Sequence, residues 1–124
     1  MNMQPEKFSI RSRIKSFSHA LAGLRQFVSR EHNARIHVVA TLAVIVVGFL
    51  LHVSYTEAAV LAIVTGLVWV AEIVNTCVER LSDLITRERH PEIKLVKDLA
   101  AGAVLTAAIT AVVVALLIFI PKII

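Results

Sequence analysis

The chain is predicted to be an all-α membrane protein, with three transmembrane helices preceded by an amphipathic surface helix. Three observations predict this. Of 124 residues, 57% are hydrophobic and 18% charged, and the mean hydropathy is +0.78, far beyond an ordinary water-soluble domain. The apolar residues gather into three runs, Val38 to Leu51, Ala58 to Val78 and Leu99 to Ile120. These runs are rich in Ala and Leu, without two-residue alternation or hairpin dipeptides. Helices are also the economical solution in lipid, because each one satisfies its own backbone groups.

The elements follow in chain order. In the arm, Ile10, Ile14, Phe17, Leu21, Leu24 and Val28 recur at helical spacing, beside a stripe of Arg11, Lys15, Ser18 and Arg25. This pattern predicts a basic amphipathic helix over about 8–30, lying in the headgroup layer. A bilayer core of about 30 Å needs roughly 20 helical residues. The third run meets that length cleanly. The second meets it with Thr65, Glu72, Asn75 and Thr76 inside it, and the first when its ends reach into the interface. The expected spans are about 34–54, 57–81 and 95–120 within a single domain, 1–124. The short link from His52 to Glu57 makes the first two spans antiparallel neighbours.

Charge sets the orientation. Lys7, Arg11, Arg13, Lys15, Arg25, Arg30 and Arg35 precede the first span, and Arg80, Arg87, Arg89, Lys94 and Lys97 lie between the second and third. Between the first and second spans there is no Lys or Arg, and only Lys122 follows the third. The amino terminus and second loop are therefore expected in the cytoplasm. The arm is too polar and too long to read as a cleavable signal peptide.

The second span carries the chemistry. Glu72, Asn75, Glu79 and Asp83 share one helical face. Glu72 and Glu79 are about 10 Å apart along the axis, so Glu79 and Asp83 should reach the cytoplasmic surface while Glu72 lies inside the inner leaflet. An ionisable residue at that depth costs a few kcal/mol and faces protein or water. Burial opposes ionisation of a carboxyl and nearby cations favour it; a carboxylate poised between the two suits general-base work. Glu31 and Arg35 form an i,i+4 pair before the first span, and Lys94, Lys97 and Asp98 mark the cytoplasmic start of the third. Carboxylates such as Glu31 and Glu79 can hold a hard divalent cation, and Arg and Lys can neutralise phosphate oxygens. These are the parts of phosphoryl transfer. A small proton-coupled transporter using Glu72 is the alternative, although it has no need of Glu31, Glu79 and Asp98 at the boundary.

Other chemistries lack their residues. There is no P-loop or glycine-rich nucleotide fingerprint. The five histidines form no zinc motif, and the single Cys77 reads as core filler and Trp69 as a packing residue. The basic residues flank the membrane runs without interleaved exposed aromatics, so nucleic-acid binding is not expected. Ala103, Ala107, Ala111 and Ala115 form a ridge that permits close helix contact, between subunits or within one chain.

Three blocks resemble the small bacterial integral-membrane lipid kinases, the diacylglycerol and undecaprenol kinases, over about Ile14 to Pro121. They are Glu31-His32-Asn33-Ala34-Arg35-Ile36-His37, then Glu72-Ile73-Val74-Asn75-Thr76-Cys77-Val78-Glu79, then His90-Pro91 with Lys97-Asp98-Leu99-Ala100-Ala101-Gly102. Glu-x-x-Asn-x-x-x-Glu ending a membrane helix is the family's signature. The resemblance implies a homotrimer with shared active sites in the bacterial inner membrane. It also implies transfer of the terminal phosphate of ATP, with Mg2+, to a lipid alcohol. By matching position Glu72 would be the catalytic base, and Glu31 and Glu79 the metal ligands. Asn75, Lys97 and Asp98 would help hold nucleotide and phosphate, with Arg13 and Lys15 approaching the phosphates from the arm. Cys77-Val78 replaces the more usual Ala-Ile, and Ala34 and Ala58 stand where many relatives carry aromatics. The tail and the Asn-x-Arg-Ile-His block look more like the undecaprenol kinase branch.

Overall fold

A computed structural model describes residues 4, 5 and 7–124. Four helices account for most of them: α1 (Ile10–Arg30), α2 (His32–Leu50), α3 (Tyr55–Ile85) and α4 (Pro91–Ile123). No strand occurs among the described residues. Three helices, α2, α3 and α4, are long and apolar enough to cross a membrane. At about 1.5 Å per residue, α2 roughly matches a hydrocarbon core, while α3 and α4 exceed one and carry polar turns beyond it. The helices thus run further than their apolar cores alone, because charged turns at both ends of α3 and at the start of α4 remain helical.

Local sequence explains the helix ends. Ser9 caps α1 by accepting from the Ser12 amide at 3.3 Å. α2 ends in a reversal closed by the Val53 amide on the Gly48 carbonyl (3.2 Å) and the His52 amide on the Phe49 carbonyl (3.4 Å). Those two bonds are the pairing of a Schellman cap. It places His52 in the left-handed region at φ 53°, the position glycine usually fills. α3 opens with a capping box. Ser54 Oγ accepts from the Glu57 amide at 3.1 Å, and the Ser54 amide donates to Glu57 Oε1 at 2.9 Å. His90 Nδ1 accepts from the Glu92 amide at 3.2 Å, and Pro91 starts α4, where its missing N–H costs nothing.

α3 packs mainly on α4 and also on α2, and α2 in turn touches α1. An ion pair between Lys122 and Glu57 (3.0 Å) joins the end of α4 to the start of α3. The core is small. Phe27, Ala34, Leu61, Val64 and Val68 are its buried apolar members, and Phe27 meets Trp69 edge-on with ring centroids 6.1 Å apart. Ala34 has no exposed surface at all. Ile10, Ile14, Phe17 and Leu21 of α1 stand at least 65% exposed. The half-buried residues of α4 include Ala107, Ala111 and Ala115, and α3 is the helix that packs on α4. Ala103 is exposed. Two expectations are corrected. Cys77 is exposed in the chain and fills no core. Trp69 does more than pack: its indole Nε1 donates to Thr41 Oγ1 at 2.9 Å, crossing from α3 to α2.

Candidate active site on the third helix

The buried side of α3 begins apolar, with Leu61, Val64 and Val68, and turns polar at Glu72 and Asn75 without changing face. Glu72 is only 3% exposed and Asn75 only 6%. A carboxylate so enclosed must find partners, and both come from α2. Asn33 Nδ2 donates to Glu72 Oε1 at 3.0 Å. His37 Nε2 lies 3.5 Å from Glu72 Oε2, too far for a short hydrogen bond. His37 is itself held. Its backbone carbonyl accepts from Thr41 Oγ1 at 2.6 Å, the hydroxyl that receives the Trp69 indole, and its ring tilts against that of Trp69 at 6.4 Å.

Toward the end of α3 the polar face opens. Asn75 Nδ2 donates to Glu79 Oε1 at 3.3 Å, and Glu79 is exposed. The other amide atom, Asn75 Oδ1, is buried and has no hydrogen-bond partner among the described residues. An orphaned acceptor costs roughly 1–3 kcal/mol and is paired in nearly all proteins. The mouth of this face is ringed by ion pairs. Arg80 Nη2 meets Glu31 at 2.7 Å, Lys97 meets Asp83 at 2.7 Å, and Lys94 meets Asp98 at 2.6 Å.

The residues singled out in the sequence fall into three groups. Glu72, Asn75 and Glu79 lie along one face of α3, with Glu31 tied to the neighbouring Arg80. Lys97 and Asp98 reach the same end of the bundle but pair in different directions, Lys97 across to α3 and Asp98 back along α4. Arg13 and Lys15 sit exposed on α1 and form no ion pair among the described residues. The expected i,i+4 pair of Glu31 and Arg35 does not form. Glu31 stands at the α1–α2 break, outside helical geometry; it bonds Arg80, and Arg35 Nη2 donates to the Ser29 carbonyl at 2.8 Å.

Sequence reasoning missed Asn33, His37 and the buried Ser82. The first two stand one helical turn apart in α2. They could have been found by asking which α2 side chains fall at the depth of Glu72 once the two helices are antiparallel.

No cluster of three or more His, Cys, Asp or Glu side chains able to hold a metal ion occurs among the described residues. The set nevertheless suits a cation held largely by a substrate's phosphates. Glu31 and Glu79 are hard oxygen donors, and Asn75 Oδ1 is an acceptor lacking a partner. Mg2+ is commonly bound by one or two carboxylates together with phosphate oxygens and water.

Residues 18–119 match the model of the family described as prokaryotic diacylglycerol kinase. The chain is 40% identical over 108 residues to an undecaprenol kinase of Bacillus subtilis, covering 87% of this chain and 88% of that protein. It is 43% identical over 100 residues to a diacylglycerol kinase of a Synechocystis species, covering 80% of this chain and 57% of that one. A diacylglycerol kinase of Pseudomonas aeruginosa is 32% identical over 105 residues, covering 82% and 85%. The chain belongs to the prokaryotic diacylglycerol kinase family and is a membrane lipid kinase, which sets the transporter alternative aside.

Proposed function

We propose that this lipid kinase transfers the terminal phosphate of ATP, with Mg2+, to the hydroxyl of undecaprenol or diacylglycerol at the cytoplasmic face of the bacterial inner membrane. The observation that carries the reading is the near-complete burial of Glu72 on a helix face that leads through Asn75 to exposed Glu79. A lipid alcohol presents its hydroxyl at the interface, and a nucleotide approaches from water. A base about two turns below a charged rim meets both.

In this reading Glu72 takes the hydroxyl proton, the lipid oxygen attacks the terminal phosphorus, and the nucleoside diphosphate leaves. Positioning and charge neutralisation supply most of the rate in such transfers. Glu31 and Glu79 would hold Mg2+, aided by Asn75 Oδ1, and the ion would neutralise charge on the phosphates. For Glu31 this requires sharing or releasing Arg80. Lys97, and with it Asp98, would bind nucleotide and phosphate, and Arg13 and Lys15 would approach the phosphates from α1. Several features support an assembled homotrimer with its amino terminus in the cytoplasm. α4 buries no residue within the chain, and α1 leaves its apolar side chains uncovered. Lys and Arg crowd the end of the bundle that carries Glu79. α1 then lies on the inner leaflet with that apolar stripe down.

The test is purified protein in mixed micelles with labelled ATP, Mg2+ and either lipid. Phosphorylated lipid is expected, and Glu72→Gln should lower turnover by about 10²–10⁴-fold, the range for losing a general base. A folded, oligomeric protein giving no product from any lipid alcohol would refute the reading. The ratio of the two products identifies the acceptor.

A further inference from the structure

The two oxygens of Glu72 are held differently. Oε1 accepts a 3.0 Å hydrogen bond from Asn33, which fixes the rotation of the carboxylate. Oε2 carries no hydrogen bond of that kind and has the His37 imidazole 3.5 Å away. Among the described residues, His37 is the one side chain capable of positive charge within ion-pair range of Glu72; every lysine and arginine in an ion pair is engaged elsewhere. This matters because a base buried to 3% exposure is shielded from bulk water. The His37 side chain is 18% exposed against 4% for that of Glu72, so it is the less enclosed of the two. Its place is fixed by Thr41 and Trp69, which anchor the turn of α2 that bears it.

We infer that Asn33 and His37 of α2 serve Glu72 as a pair, Asn33 as a positioning residue that orients the carboxylate and His37 as the relay that empties it. This rests on Glu72 being the base. The balance is simple. The lipid hydroxyl loses its proton to Glu72 Oε2 as its oxygen bonds to phosphorus. Glu72 passes that proton to the lone pair of neutral His37 Nε2, and the imidazolium releases it to water, restoring both side chains. Imidazole suits this task because its ring nitrogen can accept a proton and give it up again. The relay needs Nδ1 to carry the ring hydrogen when Nε2 accepts the proton.

The test is steady-state kinetics on the full-length protein in mixed micelles, with each variant compared at equal folded amount. His37→Ala is expected to lower kcat about 10- to 100-fold while KM for ATP stays within about twofold. His37→Gln, which keeps a polar side chain but cannot relay a proton, should be as slow. Asn33→Ala should lower kcat about 10-fold. In a Glu72→Gln background, adding His37→Ala should cost nothing further, since a residue acting through another loses its effect when that partner is gone. Wild-type kcat in His37→Gln overturns the relay, and so does a full additional loss in the double variant. If His37→Ala fails to fold, His37→Gln and Asn33→Ala carry the comparison. Should Glu72→Gln itself turn over normally, the assignment of the base fails first, a result distinct from failure of the relay alone.

Discussion

α3 and α4 are nearly equal in length, 31 and 33 residues, and pack against one another, yet they do opposite things. α3 buries Glu72, Asn75 and Ser82 together with three apolar residues, and its Glu72 and Trp69 side chains bond to α2. No residue of α4 is fully buried within the chain, and its two mid-helix hydroxyls turn inward on their own backbone: Thr106 donates to the Gly102 carbonyl at 2.8 Å and Thr110 to the Thr106 carbonyl at 2.9 Å. Apolar length is what a helix needs to cross the bilayer. A polar side chain becomes part of a site only where a second helix supplies what its own backbone cannot. On α4 the hydroxyls cost little because each is satisfied in place; on α3 the Glu72 carboxylate depends on Asn33 of α2.

That contrast can be broken most severely at Asn75. Asn75→Leu removes both the bond to Glu79 and the orphaned acceptor. Lipid kinase turnover is expected to fall about 100-fold, the scale of losing a positioned polar group at a reacting centre, while the unfolding free energy holds or rises, because a buried unpaired acceptor has gone. Turnover within threefold of wild type would make the polar face of α3 structural. A milder probe is Trp69→Phe, which deletes the hydrogen bond that joins α3 to Thr41 of α2. A loss of about 1 kcal/mol is expected, measured by denaturant titration in micelles. The smallest effect belongs to α4. Thr106→Val and Thr110→Val should each change stability by less than about 0.5 kcal/mol, with lipid phosphorylation within twofold of wild type. A large loss of activity in either would mean that α4 also lends polar groups to the site.

Much of the fold is legible residue by residue. The Ala- and Leu-rich runs, the Ser54–Glu57 capping box and Pro91 all act through neighbours in the chain, so helix number and several helix ends follow from local patterning. The polar face of α3 is legible for the same reason, since residues three and four apart share a face by helical geometry alone. What fails is any inference about pairs between helices. Glu31 and Arg35 have the spacing of a helical ion pair, but the chain breaks at Glu31 and the carboxylate turns to Arg80, 49 positions along. Cys77 sits in an apolar run and so reads as buried, yet burial depends on which side of α3 faces a partner, and Cys77 is on the other side.

The sequence by itself determined that the chain crosses a membrane as helices, which end carries its charge, and that an acid lies where acids are expensive. These are properties of single segments against a solvent of known polarity. Only the tertiary structure decided what surrounds that acid. Asn33 and His37 lie 39 and 35 residues from Glu72 in the chain, and nothing local brings them to its two oxygens. The antiparallel packing of α2 on α3 sets them at one depth, because two helices with the same rise, joined by a tight reversal, bring into register residues that are far apart in sequence.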